Sequence, residues 1–494
     1  MSEERWEIPQ TWSWASVGEI ADVVGGGTPP TGDENNFAGE GIAWLTPADL
    51  TGYSETYIAR GRRDLSERGY RVSAARIMPA GTVLFSSRAP IGYCAVASGE
   101  ITTNQGFKSF VLKGGIRPEY LRHYLLASVD YAESKASGTT FKELSGSRAA
   151  EIAAPIAPLP EQQRIVTKID SVISKTKRAR DHLNHIPRLV AKYKQAVLAA
   201  AFRGDLTKEW RTEGGGEPSE ASSNRITLRS SANTGTRVQK TGDVTPDQIA
   251  GMWSAPAHWH WRQVGDCAFV TKLAGFEYTK HVKYSPNGDL RVIKAENAGP
   301  EGFRETDYSR VASDAVGGLT RSRLLGGELL VVFVGAGTGN VAVVPEADDF
   351  FLGPNIAMAR PFTDVAISRY LELFFRSSKG RELLLMTSKA VAQPSLSMGA
   401  IRSTPVLLPC VAEQVEIVRR VDAALIWIDR LASDATSARK LIDHLDQAVL
   451  AKAFRGELVP QDPTDEPASV LLDRIRAERG TTTKAGRGRK ATTT

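Results

Sequence analysis

The residues most suggestive of chemistry are Gly335, Gly337 and Gly339, in the stretch ELLVVFVGAGTGNVAVV over 328–344. An apolar run leads straight into a Gly-x-Gly-x-Gly turn. Glycines after a strand let the backbone approach a phosphate or an adenosyl group, which is how dinucleotide and S-adenosylmethionine sites begin. After Gly339, however, the chain reads Asn-Val-Ala-Val-Val and is stopped by Pro345, a β-branched run rather than the helix such a site requires. The spacing therefore predicts a β-hairpin with a glycine-rich turn.

Other catalytic constellations are missing. His182 and His185 have no His-Glu-x-x-His context, and Cys94, Cys267 and Cys410 lie far apart with no Cys-x-x-Cys pair. That spacing predicts no metal site and no disulfide, and suits a reducing compartment. There is no Asp/Asn-Pro-Pro-Tyr/Phe methylase motif and no Gly-Lys-Ser/Thr phosphate loop, and Pro246-Asp247 is followed by no Glu-x-Lys of a nuclease. With 41% hydrophobic and 24% charged residues the composition is that of a globular chain. No apolar run reaches the ~20 residues of a membrane span, and the polar start MSEERWEIPQ predicts no signal peptide. A formal charge of +6 makes a phosphate-backbone partner worth testing.

The elements that hold these residues are written twice. QAVLAAAFRG (195–204) recurs as QAVLAKAFRG (447–456), with nine identities in ten at an offset of 252. EQQRIVTKID (161–170) aligns with EQVEIVRRVD (413–422) at the same offset, and WSWASVG (12–18) with WHWRQVG (259–265) at 247. GTVLFSSRAPIGYCAVA (81–97) lies over 327–344, with Gly92 over Gly339. A shared cofactor site would not lose its glycines in one copy, which again favours a hairpin.

Within each half a β-rich part, 1–158 or 253–409, precedes a helical part, 159–210 or 410–458. PEYLRHYLLAS (118–128) and ISRYLELFFRS (367–377) are the helix candidates inside the β-rich parts. Residues 211–252 are rich in Gly, Ser and Thr and read as a flexible linker. Residues 459–494 read as a C-terminal helix leading into a disordered basic tail from 480 onward.

The helical parts share a heptad seam. It runs Ile165, Ile169, Val172, Thr176, Ala179, Leu183, Ile186, Val190, Tyr193, Val197, and adding 252 to each gives Ile417 to Val449. Thr176 is the polar exception. Gly204 and Gly456 stand as C-caps, and Pro187 should kink the first helix, where the second copy has Arg439. Extra apolar residues, among them Leu189, Leu198, Phe202, Ile426 and Trp427, widen the stripe beyond one seam and suggest an outside helical partner. On this reading Phe202, Phe454, Leu198 and Leu450 are candidates for partner docking. The fold expected is α+β, with two β-rich domains separated by two long antiparallel coiled-coil helices in an internal duplication.

This alternation resembles the specificity subunit of type I restriction-modification systems. The helix openings LPEQQRIV (159–166) and AEQVEIV (412–418) and the closings AAAFRGDLTKEWR (200–211) and AKAFRGEL (451–458) are similar to that family's helical regions. IPQTWSWASVGEIADV (8–23), APAHWHWRQVGD (255–266) and DEPASVLLDRIRAERG (465–480) resemble its domain starts and C-terminal segment. The resemblance implies a cytoplasmic, non-catalytic subunit whose two target-recognition domains each read half of a split double-stranded DNA target. It implies helices that hold the domains apart and dock two modification subunits, the methyltransferases, with restriction subunits joining. S-adenosylmethionine, ATP and Mg would then sit on the partners, with no cofactor in this chain.

Base readout needs polar or basic side chains on exposed loops. The candidates are Ser86, Ser87, Arg88, Thr338 and Asn340 at the hairpin turns, and Asn104, Gln105, Lys108 and Asn355 on the loops next in sequence. Thr139, Thr140, Lys142, Lys389 and Gln393 lie in the segments before the helices. Arg60, Arg62 and Arg63 read as a solvated basic run, and Trp12, Trp14, Trp259 and Trp261 as core anchors. Two rival functions stand beside this one: a single-chain DNA methylase or nuclease built on 328–344, and a helical scaffold without DNA function.

Overall fold

Runs rich in Val, Ile, Phe and Tyr become strands because a pleated, half-buried surface suits branched and aromatic side chains. The computed structural model describes residues 6–138, 142–214, 242–347, 349–386 and 395–487. Its chain divides into two units, Met1–Asn184 with Thr436–Thr494, and His185–Ala435.

In the first unit a five-stranded sheet runs in the order Ala21–Gly25, Phe107–Leu112, Val83–Ser87, Ile91–Ala97 and Tyr57–Ile58. Val83, Phe85 and Phe110 share a buried core with Tyr120, Leu121 and Tyr124 of the helix Pro118–Ala127. The second unit repeats the plan with four antiparallel strands, Ala268–Lys272, Ile356–Pro361, Leu329–Val332 and Val341–Val343. Behind them the helix Ser368–Arg376 buries Tyr370, Leu371 and Phe374. A further sheet, from Leu290–Ile293, Arg310–Val311, Phe350–Leu352 and Arg323–Leu324, completes this unit.

The stretch 328–344 is a hairpin, with Leu329 opposite Val343 and Val331 opposite Val341. Gly339 has φ +84° and its counterpart Gly92 φ +112°. A Cβ would stand 2.9 Å from Leu385 at Gly339 and 2.7 Å from Val129 at Gly92. These glycines let a turn close against a helix, and that is a packing role.

The first long helix breaks at His185, giving Leu159–Asn184 and Ile186–Phe202 with Pro187 in the first turn of the second piece. A proline there loses only a donor that a helix start leaves unpaired. The second long helix, with no proline, runs unbroken over Val411–Phe454. In the first unit Thr176 Oγ1 donates to Asp446 Oδ1 at 2.7 Å, and Arg180 lies 2.9 Å from Asp443 and 2.8 Å from Asp446. In the second, Lys194 pairs with Asp429 at 2.8 Å and Arg211 with Glu413 at 2.6 Å. One number rises as the other falls, so each pair is antiparallel. The seam does not close throughout: Tyr193 is 61% exposed, Leu445 47% and Leu431 44%. Ion pairs occupy the neighbouring facing positions, which leaves those apolar side chains outside.

Each unit grips one helix start and one helix end with the same parts. In the first, the buried Glu161 accepts from Trp12 Nε1 at 3.0 Å and from Gln461 Nε2 at 2.6 Å. Gln461 also donates to Gly456 O at 3.1 Å. In the second, Glu413 accepts from Trp259 Nε1 at 2.9 Å, Arg211 Nη1 at 2.6 Å and His258 Nε2 at 3.1 Å, while Arg211 donates to Gly204 O at 2.7 Å. The adjacent glutamines repeat as well. Gln162 accepts from Arg117 N–H and donates to Ala157 O, as Gln414 accepts from Ile367 N–H and donates to Pro409 O. Gly204 (φ +80°) and Gly456 (φ +77°) end their helices, with Asp205 N–H bonded back to Ala200 O and Glu457 N–H to Lys452 O. This is the Schellman pattern. Trp12 and Trp259 are thus core anchors as expected, each with its indole nitrogen committed to a carboxylate.

The four candidate docking residues lie against the cores of their own units. Phe202 is fully buried, 5.1 Å from the Phe374 ring and 5.6 Å from Tyr370 and Trp253. Phe454 stands 5.3 Å from Tyr120 and 5.2 Å from Tyr124. Leu198 is buried with Phe202, and Leu450 is half-buried against the first unit's core. Each helix end is wedged into its own unit, because an aromatic ring beside a C-cap finds more apolar surface there than in water.

The linker expected over 211–252 falls mostly on 215–241, outside the described residues. Its later end differs from that reading: Pro246–Ile249 is a 3-10 turn, and Met252 packs beside Trp253 on the second core. The C-terminal helix Ala468–Arg487 buries Leu471, Leu472 and Ile475 in the first core. It runs past Gly480 into the stretch expected to be disordered, since a helix nucleated by packed turns propagates cheaply.

The clamps predict unequal costs. In Trp12→Phe, Glu161 keeps only its Gln461 partner of the two, whereas in Trp259→Phe, Glu413 keeps Arg211 and His258. Losing a donor to a buried group costs about 1–3 kcal/mol. Thermal unfolding should place Trp12→Phe towards the upper end of that range and Trp259→Phe towards the lower.

Candidate nucleic-acid interface

Turns distant in sequence meet at one end of each large sheet. In the first unit the ladder sets Gly25 beside Lys108 and Lys108 beside Phe85. Beyond it, Ser87 N–H donates to Gly106 O at 2.7 Å and Leu144 N–H donates to Ser87 O at 2.9 Å. The hairpin turn, the Asn104–Gly106 turn and the pre-helix segment thereby share one edge. In the second unit Phe333 N–H donates to Asn355 O at 3.2 Å and Leu396 N–H to Phe333 O at 2.8 Å. Sequence reasoning selected these three loops in each half, and the sheets bring them together.

Individual side chains sort differently. Ser86 is buried, its Oγ donating to Pro90 O and accepting from Tyr93 N–H, both at 2.8 Å. Ser87 is buried too, its Oγ donating to Gly106 O at 3.1 Å. Thr338 donates to Gly335 O at 2.7 Å. Asn340 donates to Ala298 O at 3.1 Å and accepts from Arg381 Nη1 at 3.0 Å. Those four hold the turns together, because buried polar groups must find partners inside.

The surface remainder is Arg88, Asn104, Gln105, Lys108, Lys142 and Asn355. Asn104 is half-buried, its Oδ1 capping Gly106 N–H at 2.9 Å. Gln105 is exposed and accepts from Thr28 Oγ1. Arg88 and Lys108 flank Glu143 at 3.6 and 3.7 Å. Lys142 is exposed, and so is Asn355 at φ +66°. Thr139, Thr140, Lys389 and Gln393 lie outside the described residues.

Two neighbours of this edge escaped the sequence reading. A Cβ on Gly26 would meet Asn104 O at 2.0 Å and one on Gly27 would meet Ala75 N at 2.3 Å, so the run GGGTPPTG lies flush on the Asn104 turn and delivers Thr28. The triple glycine was the available signal. In the second unit Lys272 stands 4.7 Å over the Phe333 ring, and Phe276 a few residues on is 75% exposed. No pattern in the sequence distinguishes Phe276 from a core phenylalanine.

The cysteines are free. Among the described residues no three His, Cys, Asp or Glu side chains gather to hold a metal ion, and no helix is long and apolar enough to cross a membrane.

The family model for the type I restriction modification DNA specificity domain matches residues 9–188. The chain is 38% identical over 202 residues to the type I restriction enzyme MjaIX specificity subunit of Methanocaldococcus jannaschii, covering 38% of this chain and 46% of that one, less than half its length. It is 24% identical to the StySPI specificity subunit of Salmonella potsdam over 496 residues, 96% of this chain and 97% of that one. Its fold is that of the HsdS subunit crystal structure from Thermoanaerobacter tengcongensis, with TM-score 0.59 and 18% identity over 93% of this chain and all of that one.

The edge yields a contrast that denaturation can read. Ser86→Ala strands the Tyr93 N–H and should destabilise the first unit by about 1–3 kcal/mol. Lys142→Ala, at an exposed position, should stay within about 0.5 kcal/mol of the parent.

Proposed function

Because the chain belongs to the family of type I restriction-modification specificity subunits, we propose that each of its two β-rich domains reads one half of a bipartite DNA target. The subunit recognises the DNA target and is itself non-catalytic. Residues 1–158 and 253–409 are the two readers in this proposal, each using the turns at the end of its sheet.

The observation carrying it is a contrast between the copies. The Trp–Glu contact and the glycine at the helix end recur in both copies, with Gln461 in one and Arg211 and His258 in the other as the remaining donors. The turns at the sheet ends are not: Ser-Arg-Ala-Pro-Ile occupies the place of Val-Gly-Ala-Gly-Thr. Loops that differ in their donors and acceptors suit readers of different base sequences. Gln105, Lys142 and Arg88 in one copy and Asn355 in the other are the side chains with room to reach base edges or phosphates.

The subunit functions within a type I complex. The finer reading is that two modification subunits dock on the long helices, that restriction subunits join them, and that S-adenosylmethionine, ATP and Mg are held there, in the cytoplasm. In this proposal, with Phe202 and Phe454 committed inward, docking uses apolar residues that the second unit's helices leave outside, Ile426 at 69%, Trp427 at 63% and Tyr193 at 61% exposure. Large rings and branched chains on solvated helix faces are the usual mark of an interaction site.

Two experiments test these readings. Exchanging residues 253–409 for the same domain of a relative should change one half of the methylated motif in methylome sequencing, and changes in both halves would defeat the idea of independent readers. Trp427→Asp should weaken co-purification of the modification subunit while shifting unfolding by no more than about 0.5 kcal/mol. A complex of undiminished yield would place docking elsewhere.

A further inference from the structure

Beside the Asn104–Gly106 turn the first unit carries a groove of about 500 Å³ lined by Trp44, Thr46, Asp49, Arg62 and Arg63. A second hollow, lined by Asp49, Arg60 and Arg62 among others, adjoins it. The groove is tied to the reading edge. Trp44–Leu45 pairs in parallel with Thr102–Thr103, Trp44 Nε1 donates to Gly27 O at 3.1 Å, and a Cβ on Gly106 would touch Pro47 Cγ at 2.8 Å.

Two guanidinium groups stand on its rim, each held by a different device. Asp49, only 8% exposed, accepts from Thr46 N–H at 2.8 Å and Thr46 Oγ1 at 2.7 Å. Its other oxygen accepts from Arg62 N–H at 3.2 Å and Arg62 Nε at 3.1 Å, and Arg62 Nη2 donates to Ala48 O at 3.2 Å. Burial alone would raise the Asp49 pKa, but the hydrogen bonds from Thr46 and Arg62 hold it below its ordinary value, so the carboxylate stays charged. The Arg62 side chain remains 76% exposed. Arg63 lies 4.2 Å over the Phe37 ring, and that ring packs 5.7 Å from Trp44. Arg60, by contrast, is paired to the buried Asp64 at 3.0 Å. An unrestrained surface arginine loses much rotamer freedom on binding; these two have already lost it.

We propose that the groove is a clamp for the phosphate backbone of duplex DNA, in which Arg62 and Arg63 contact phosphate oxygens and Asp49 is the positioning residue for Arg62. Planar guanidinium forks match phosphate oxygens, and contacts of this kind fix register while adjacent turns read bases. The clamp rests on the reading of this chain as a DNA-recognition subunit.

The test uses the full chain in its complex with modification subunits and a short fluorescent duplex carrying the motif found by methylome sequencing. Arg62→Gln and Arg63→Gln should each weaken binding roughly tenfold near physiological salt and lower the slope of log K against log salt by about 0.9. The methylated motif should not change. Asp49→Ala should reproduce part of the Arg62→Gln loss and add nothing to it in the double variant, as expected when one residue acts through the other. Arg63→Lys should recover part of the loss. Unchanged affinity, a loss with an unchanged salt slope, or an altered motif would each overturn the clamp. A parent complex that binds no duplex would instead overturn the DNA-recognition reading, and the clamp with it.

Discussion

The constraint on which the rest depends is a buried carboxylate at the start of each long helix. Taking a charged carboxylate out of water costs several kcal/mol unless donors replace its hydration. Glu161 and Glu413 are each about 1% exposed, and each is answered by an indole N–H from the start of a β-rich domain. Burial pushes the Glu161 pKa above its ordinary value, with bonds from Trp12 and Gln461 offsetting part of that rise. Gln461 in the first unit and Arg211 in the second donate both to the glutamate and to the carbonyl of the helix-ending glycine, so one polar centre joins a domain start, a helix start and a helix end. Pro9 and Pro256 close over Gly456 and Gly204, where a Cβ would come within 2.3 and 2.5 Å of their rings. Only glycine fits beneath them.

With the domain locked to its helices, the large sheet becomes a rigid plate with one end left for variation. The ladder holds the turns in register, and internal hydrogen bonds of Ser86, Ser87, Thr338 and Asn340 fix their shape. Among the described residues, what remains at the surface differs chemically between the two copies. The proposed reading of DNA needs both properties: positional precision supplied by strands, and freedom of side-chain chemistry at positions that strands do not use.

The long helices show a similar division. Apolar seam residues near each clamp are buried, as Ile165, Ile169, Ile417 and Val421 show. Towards the middle of the helices Arg180, Lys194 and Arg439 bring ion pairs or amide contacts instead, and apolar residues turn outward. Trp427 and Ile426 are among those left exposed, as the docking proposal requires.

The duplication, the helix positions with their glycine ends, the break near Pro187 and the hairpin at 328–344 are legible in the residues. Each depends on local physics: periodicity, capping and the order of β-branched residues. The anchor role of Trp12 and Trp259 was also legible, though not the carboxylates they serve, since Glu161 and Glu413 read as ordinary helix-opening acids. Which loop residues face solvent was not. Ser86 and Gln105 are equally good candidates by type, and only the closing of the hairpin against Pro90 and Tyr93 buries one and leaves the other exposed. Phe202 and Trp427 both lie beside a seam, and what separates them is the Tyr370–Phe374 face arriving from a helix far away in sequence. Exposure is a non-local property, decided by which surfaces meet once the chain has folded, and no spacing within a single segment encodes it.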